Sequence, residues 1–176
     1  MNFKKIVLRY KESLVYRIIF QSVLLIIVYI GIQTWQSLGV AKGAAPIILD
    51  QTLNGKNINL SHYKTEPVIV YFWAEWCPVC RFENPTIDGL AKEYKIISIA
   101  TFAENKHDVI NYLNDENIDM PTVFDENNEW AKLYKVSAVP TTFIIDSQGE
   151  IRFVEKGFTS SIGLKLRLWW ITLHQS

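Results

Sequence analysis

The chain has 176 residues, of which 49% are hydrophobic and 20% charged; these proportions predict one ordinary globular domain with an appendage and exclude a disordered chain. Basic and acidic side chains balance at 18 each, but Lys4, Lys5, Arg9, Lys11, Arg17 and Lys42 set against Glu12 leave residues 1–42 at +5 and the remainder at −5. An acidic domain argues against nucleic acid as a partner.

From Ile18 to Ala41 no residue is charged, and the centre VLLIIVYIGI is continuously apolar. A membrane span needs about 20 such residues, which residues 18–38 supply, with Tyr29 and Trp35 toward the distal end, where amphipathic rings favour the interface. The basic residues precede the span, so the expected topology is a cytoplasmic segment 1–17, an anchor 18–38, a linker 39–45 and an exported domain 46–176. A cleaved signal is the alternative, since Gly39, Ala41 and Ala44 suit a peptidase. Its apolar region is usually shorter, about 7 to 15 residues.

Beyond the linker, IILDQTLNGKNINLSHY alternates around Asn54-Gly55, a hairpin signal. PVIVYFWA is a β-branched and aromatic run expected of a central strand buried on both faces. A helix is predicted from Pro78, which suits a first turn, to about Tyr94, kinked at Pro85. KIISIAT reads as a second buried strand, HDVINYLNDENI as a helix through Val109, Ile110, Leu113 and Ile118, and EWAKLYKV as a short helix. PTTFIIDSQGEIRFVEKG is expected to form two strands. The tail SSIGLKLRLWWITLH is predicted to be a helix capped by Ser160 or Ser161, with Leu166, Trp169 and Leu173 recurring on one face and at least one of Trp169 and Trp170 in the core. That order of strands and helices gives an α/β fold, a mixed sheet with helices on both faces.

Both cysteines, Cys77 and Cys80, lie two residues apart in FWAEWCPVCRFENP. A chain of this size needs no disulfide framework, so their use is chemical. A structural zinc site would need two more ligands from His62, His107 and His174, none of which has ligand-pair spacing; the three read as surface residues. A redox pair is the favoured reading. At the end of a strand and the first turn of a helix, Cys77 faces unpaired N–H groups and the positive end of the helix dipole, which stabilise a thiolate. Cys77 is therefore the candidate nucleophile and Cys80, a turn further in, the resolving thiol. Period-2 alternation places Trp73 in the core and Trp76 outside as an apolar platform.

FWAEWCPVC resembles the thioredoxin superfamily active site, and VPTTFIID resembles the loop in which that fold presents a cis-proline. The order of hairpin, FWAEWC, DENNEWAKLYKVSAVPTTFIID and GEIR over residues 46–173 is similar to the membrane-anchored TlpA/ResA group, nearest the suppressor-of-copper-sensitivity D proteins. The resemblance implies a thioredoxin-like fold, a protein thiol-disulfide oxidoreductase, and the Cys77-Cys80 pair as its redox group with no organic cofactor or metal. It implies a cis bond before Pro140, backbone groups of Val139 and Thr141 offered to a client chain, and Trp76 and Pro78 beside that client. Glu83 stands where the group carries a glutamate, one turn beyond Cys80, where partial burial raises a carboxyl pKa toward proton-transfer range. Two positions depart from pattern: Tyr71 stands where thioredoxins have a buried aspartate, and Pro78-Val79 replaces the usual dipeptide. Disulfide-bearing clients, a membrane thiol-disulfide donor and the bilayer are the expected partners, and reduction of clients outside the cytoplasmic membrane the expected direction. The rival from another class is a membrane-tethered copper-delivery module, since thiolates prefer Cu(I). A peroxidase would expect a lone reactive thiol.

Overall fold

The structure, a computed structural model, describes residues 14–36, 39–63 and 66–174. The chain divides between Leu38 and Gly39 into two compact units. The first holds helix α1, Leu14–Gln36, which begins four residues before the predicted span and takes in Arg17. Its described side chains, residues 15–28 and Gly31, are all exposed. Among the described residues no helix is long and apolar enough to cross a membrane. Residues 1–13 and the end of the predicted span, Ser37 and Leu38, lie outside the described residues, as do the side chains of Leu14, Tyr29, Ile30 and residues 32–36.

The second unit is built on a six-stranded sheet in the order β1-β8-β7-β4-β5-β6. Its strands are β1 (Gly43–Ala44), β4 (Val68–Trp73), β5 (Lys95–Ala100), β6 (Thr122–Phe124), β7 (Thr141–Ile145) and β8 (Glu150–Lys156), with the hairpin β2 (Leu49–Gln51) and β3 (Asn57–Asn59) beside it. The helices are α2 (Pro78–Ala91), α3 (Lys106–Asp115), α4 (Glu129–Leu133) and α5 (Ser161–His174). β4 pairs in parallel with β5 and antiparallel with β7, and every one of its residues is buried. Successive side chains of a strand face opposite ways. Ile69, Tyr71 and Trp73 accordingly enter the core beneath α2, α3 and α5, while Val68, Val70 and Phe72 enter the core shared with Tyr134, Ile48 and Ile58. This is the expected mixed sheet with covered faces.

Local differences from the sequence reading have physical causes. The hairpin turn has three residues rather than two: Thr52 N–H bonds Lys56 O, and Gly55 takes the left-handed conformation at φ 79°, the form in which glycine closes a bulged turn. The predicted linker is partly structured, because Val40 and Ala41 are buried, Ala41 N–H bonds Tyr134 O at 3.0 Å, and β1 pairs with β8. Helix α2 runs through Pro85 and ends at Ala91, short of Tyr94. In α5 the core face is Leu164, Leu168 and Ile171, while Leu166, Trp169 and Leu173, which recur at helical spacing, are exposed. Neither tryptophan of the pair is in the core; Trp170 packs at the surface against Phe153 and His174. The helix is apolar on more than one side, so periodicity alone does not choose the buried one.

This assignment makes a contrast measurable by chemical denaturation. Leu168→Ala is expected to cost about 2–5 kcal/mol through lost packing, whereas Leu166→Ala, in an exposed position on the same helix, is expected to stay within about 0.5 kcal/mol of the parent.

Candidate active site

Strand β4 delivers the chain at the end of the sheet, and Cys77 is the N-cap of α2, with extended backbone angles (φ −81°, ψ 115°) and Pro78 opening the helix. The Cys77 sulfur accepts the Cys80 N–H at 3.3 Å and its S–H meets the Val139 carbonyl at 3.7 Å. A helix N-terminus leaves its first N–H groups without intrahelical partners, and this sulfur takes one of them. The bond between Val139 and Pro140 is cis, and the Val139 carbonyl places the β7 entry against the first thiol. Both cysteines are free thiols; Cys77 keeps 5% of its surface and Cys80 none.

Behind the pair lies Glu83, also without exposed surface. Its Oε1 accepts the backbone N–H of Thr159 at 2.9 Å, and its Oε2 accepts the Tyr71 hydroxyl at 3.4 Å. Burial raises the Glu83 carboxyl to about 7, with the two donors pulling the other way. Burial also pushes the Cys80 thiol above its usual range, and the Cys77 sulfur and the Glu83 charge push in the same direction. A carboxyl that is half ionised near neutrality is a stronger base than a surface carboxylate, and it lies close enough to the thiols for its charge to oppose ionisation of Cys80.

Residues 41–154 match the AhpC/TSA family. The chain belongs to that family. It is 36% identical over 122 residues to a thioredoxin-like protein of Haemophilus influenzae, covering 68% of this chain and 72% of that one. It is 32% identical over 126 residues to the thiol-disulfide oxidoreductase ResA of Bacillus subtilis, covering 69% and 70%. The crystal structure of StoA from Bacillus subtilis is similar to this chain with a TM-score of 0.63 at 25% identity, covering 69% of this chain and 96% of StoA. The fold is thioredoxin-like, as these relatives require.

Within this AhpC/TSA domain the remaining predicted positions separate. Trp76 is exposed and Trp73 fully buried, its ring N–H on Ser98. The Trp76 ring is held rather than free, because its N–H donates to Phe102 O at 2.8 Å. Pro78 is exposed and Val139 half-buried beside Cys77. Thr141 departs from expectation: it is paired with Phe72 on one side and Lys156 on the other, so the sheet rather than a client chain occupies both its edges. Among the described residues no cluster of three or more His, Cys, Asp or Glu could hold a metal ion.

The sequence reading did not foresee the polar network under the thiols. Tyr71 O–H is 2.9 Å from Asn84 Oδ1, and Asn84 Nδ2 donates to Tyr112 at 3.0 Å. Burial, with the Glu83 charge beside it, pushes the Tyr71 hydroxyl above its ordinary range and keeps it a neutral donor. The position of Tyr71 was a visible departure from pattern. Thr159 gave no signal, because it contributes a main-chain group.

The raised Glu83 carboxyl sets the sign of a stability effect. Below about 4.5, its ordinary value, the group is protonated in folded and unfolded chains alike; between there and about 7 the unfolded chain ionises while the folded one keeps its proton, so stability falls as pH rises and levels off above about 7. The loss is on the order of 3 kcal/mol across that window. Urea titrations at a series of pH values are expected to show this slope in the parent and its absence in Glu83→Gln. Tyr71→Phe removes a donor to the carboxylate and is expected to move the midpoint to higher pH.

Proposed function

We propose that this thioredoxin-like thiol-disulfide oxidoreductase reduces disulfides of client proteins outside the cytoplasmic membrane, tethered by residues 18–38 and re-reduced by a membrane thiol donor. One observation carries the reading: a pair of thiols of unequal burial, the outer one at a helix start against Val139 and the inner one backed by the enclosed Glu83.

In the first step the Cys77 thiolate attacks one sulfur of the client disulfide, forming a mixed disulfide and releasing the other client sulfur as a thiolate. Cys80 then gives its proton to Glu83 and attacks the Cys77 sulfur. The client's second sulfur leaves, a Cys77-Cys80 disulfide forms, and two electrons have passed to the client. The two client thiolates take up protons, one of which Glu83 returns through solvent. The chain has no other cysteine, so a dithiol donor must supply the two electrons that restore the pair. Similarity to the thiol-disulfide oxidoreductase ResA supports the exchange chemistry.

The tether reading rests on the uncharged run from Ile18 to Ala41 and its basic flank. Helix α1, Leu14–Gln36, overlaps that run. Tethering also raises the effective concentration of a donor held in the same membrane.

Trapping tests the chemistry. Cys80→Ser is expected to accumulate mixed disulfides with clients in vivo and Cys77→Ser to accumulate none; equal trapping by both would reverse or remove the assignment. Equilibration with glutathione tests the direction, since a potential near the strongly oxidising value of about −120 mV would make the protein an oxidant. Carbonate washing tests the tether: full-length chain is expected in the membrane pellet with its cysteines outside, against a soluble product starting near Lys42 if the segment is cleaved.

A further inference from the structure

We propose that Phe82 and Phe158 form a docking subsite for a large apolar side chain lying two or three residues from the client's disulfide cysteine. The subsite deepens the disulfide-exchange reading above and rests on it.

Helix α2 buries Cys80, Glu83, Asn84, Ile87 and Leu90, so its inner face already fills the core. Phe82 points the other way and is 74% exposed, and across from it Phe158, in the segment between β8 and α5, is 53% exposed. Their ring centroids lie 5.6 Å apart at 51°, a favourable aromatic geometry. Single exposed apolar residues are ordinary on protein surfaces; two large rings brought together from distant parts of the chain and left open to water form a binding-grade patch.

The patch is held rigidly and belongs to the thiol site. Gly157 N–H donates to Pro140 O at 2.8 Å, and Thr159 N–H donates to Glu83 at 2.9 Å. Phe158 therefore sits between two main-chain bonds, one to the proline loop that faces Cys77 and one to the helix that carries both thiols. A surface fixed before binding spares the ordering cost of docking.

Geometry also sets the reach. Phe82 is five positions beyond Cys77 on the helix, roughly 7.5 Å along its axis. An extended client chain rises about 3.3 Å per residue, so a side chain two or three residues from the attacked cysteine arrives at the rings. Trp76, beside Cys77, and Val79, three positions before Phe82 on the same helix, are also exposed, which gives the client further apolar contacts. The occupant this chemistry fits is an extended or unfolded segment whose cysteine is bracketed by Leu, Phe or Met. A folded client with its disulfide among charged residues fits poorly.

The test uses the reduced full-length chain in detergent micelles and two intermolecularly disulfide-bonded peptides that differ only in bearing Leu or Ser two residues from the cysteine on both sides. Rates of exchange are read by quenching and separating the mixed disulfides. The parent is expected to react about tenfold faster with the Leu peptide, the worth of burying one such side chain. Phe82→Ser and Phe158→Ser are each expected to bring that ratio toward one, and the double variant to go no further than the stronger single, because the rings act as one site. Equal rates for the two peptides in the parent, or a ratio preserved in both variants, would overturn the subsite while leaving the exchange reaction standing. Failure of the parent to react with either peptide would overturn the reaction and the subsite together.

Discussion

A carboxyl group with no exposed surface governs the arrangement around the two thiols. Taking an ionised carboxylate out of water is costly unless donors replace the lost hydration. Among the described residues two donors face Glu83: the Thr159 amide and, at 3.4 Å, the Tyr71 hydroxyl, whose one proton it shares with Asn84 Oδ1 at 2.9 Å. The balance is incomplete in physical terms: enough donors to let the group ionise near neutrality, too few to hold it ionised as on a surface. Had the side chain turned outward, as an ordinary helix glutamate would, the site would retain its thiols and lose the buried carboxyl behind them.

That constraint explains why β4 must be central. The strand, six residues long, carries Tyr71 into the core under α2 and leads into the turn where Cys77 caps that helix, so the donor to Glu83 and the first thiol are set by one rigid segment. The opposite wall comes from chain far away in sequence. Val139 meets Cys77 from the β7 entry and Thr159 meets Glu83 from the β8–α5 segment, the two walls being linked by the Gly157 N–H on Pro140 O. Functional groups placed by a scaffold's rigid strands and helices keep their geometry better than groups on long loops. Here the loops themselves are tied down by main-chain bonds.

Much of this was legible in the sequence, and the failures are instructive. The continuous apolar run of β4 and β5, the proline after Cys77 and the Asn54-Gly55 turn each have one cheap local conformation, so their element types read correctly. The tail also read correctly as a helix, but its buried face did not, because Ile162, Leu166, Trp169, Trp170 and Leu173 are as apolar as the buried Leu164, Leu168 and Ile171, and the choice between faces is made by what the sheet offers. The edge strand β1 was hidden because Gly43 and Ala44 carry no alternation of side chains to detect. The Tyr71–Asn84–Tyr112 network was hidden for another reason: its members lie on three different elements, and polar partners at long separation leave no period.

The donor to Glu83 from the β8–α5 segment is a peptide N–H, and this bears on how the site withstands genetic drift. A side-chain donor is lost with one codon change, but every residue except proline presents the same amide. The acidity of the buried carboxyl is thus inherited through the path of the backbone rather than the identity of residue 159. Lineages of this fold could exchange that buried threonine for another small residue and still transmit the same carboxyl acidity, so the position would vary in side chain while its amide stayed fixed.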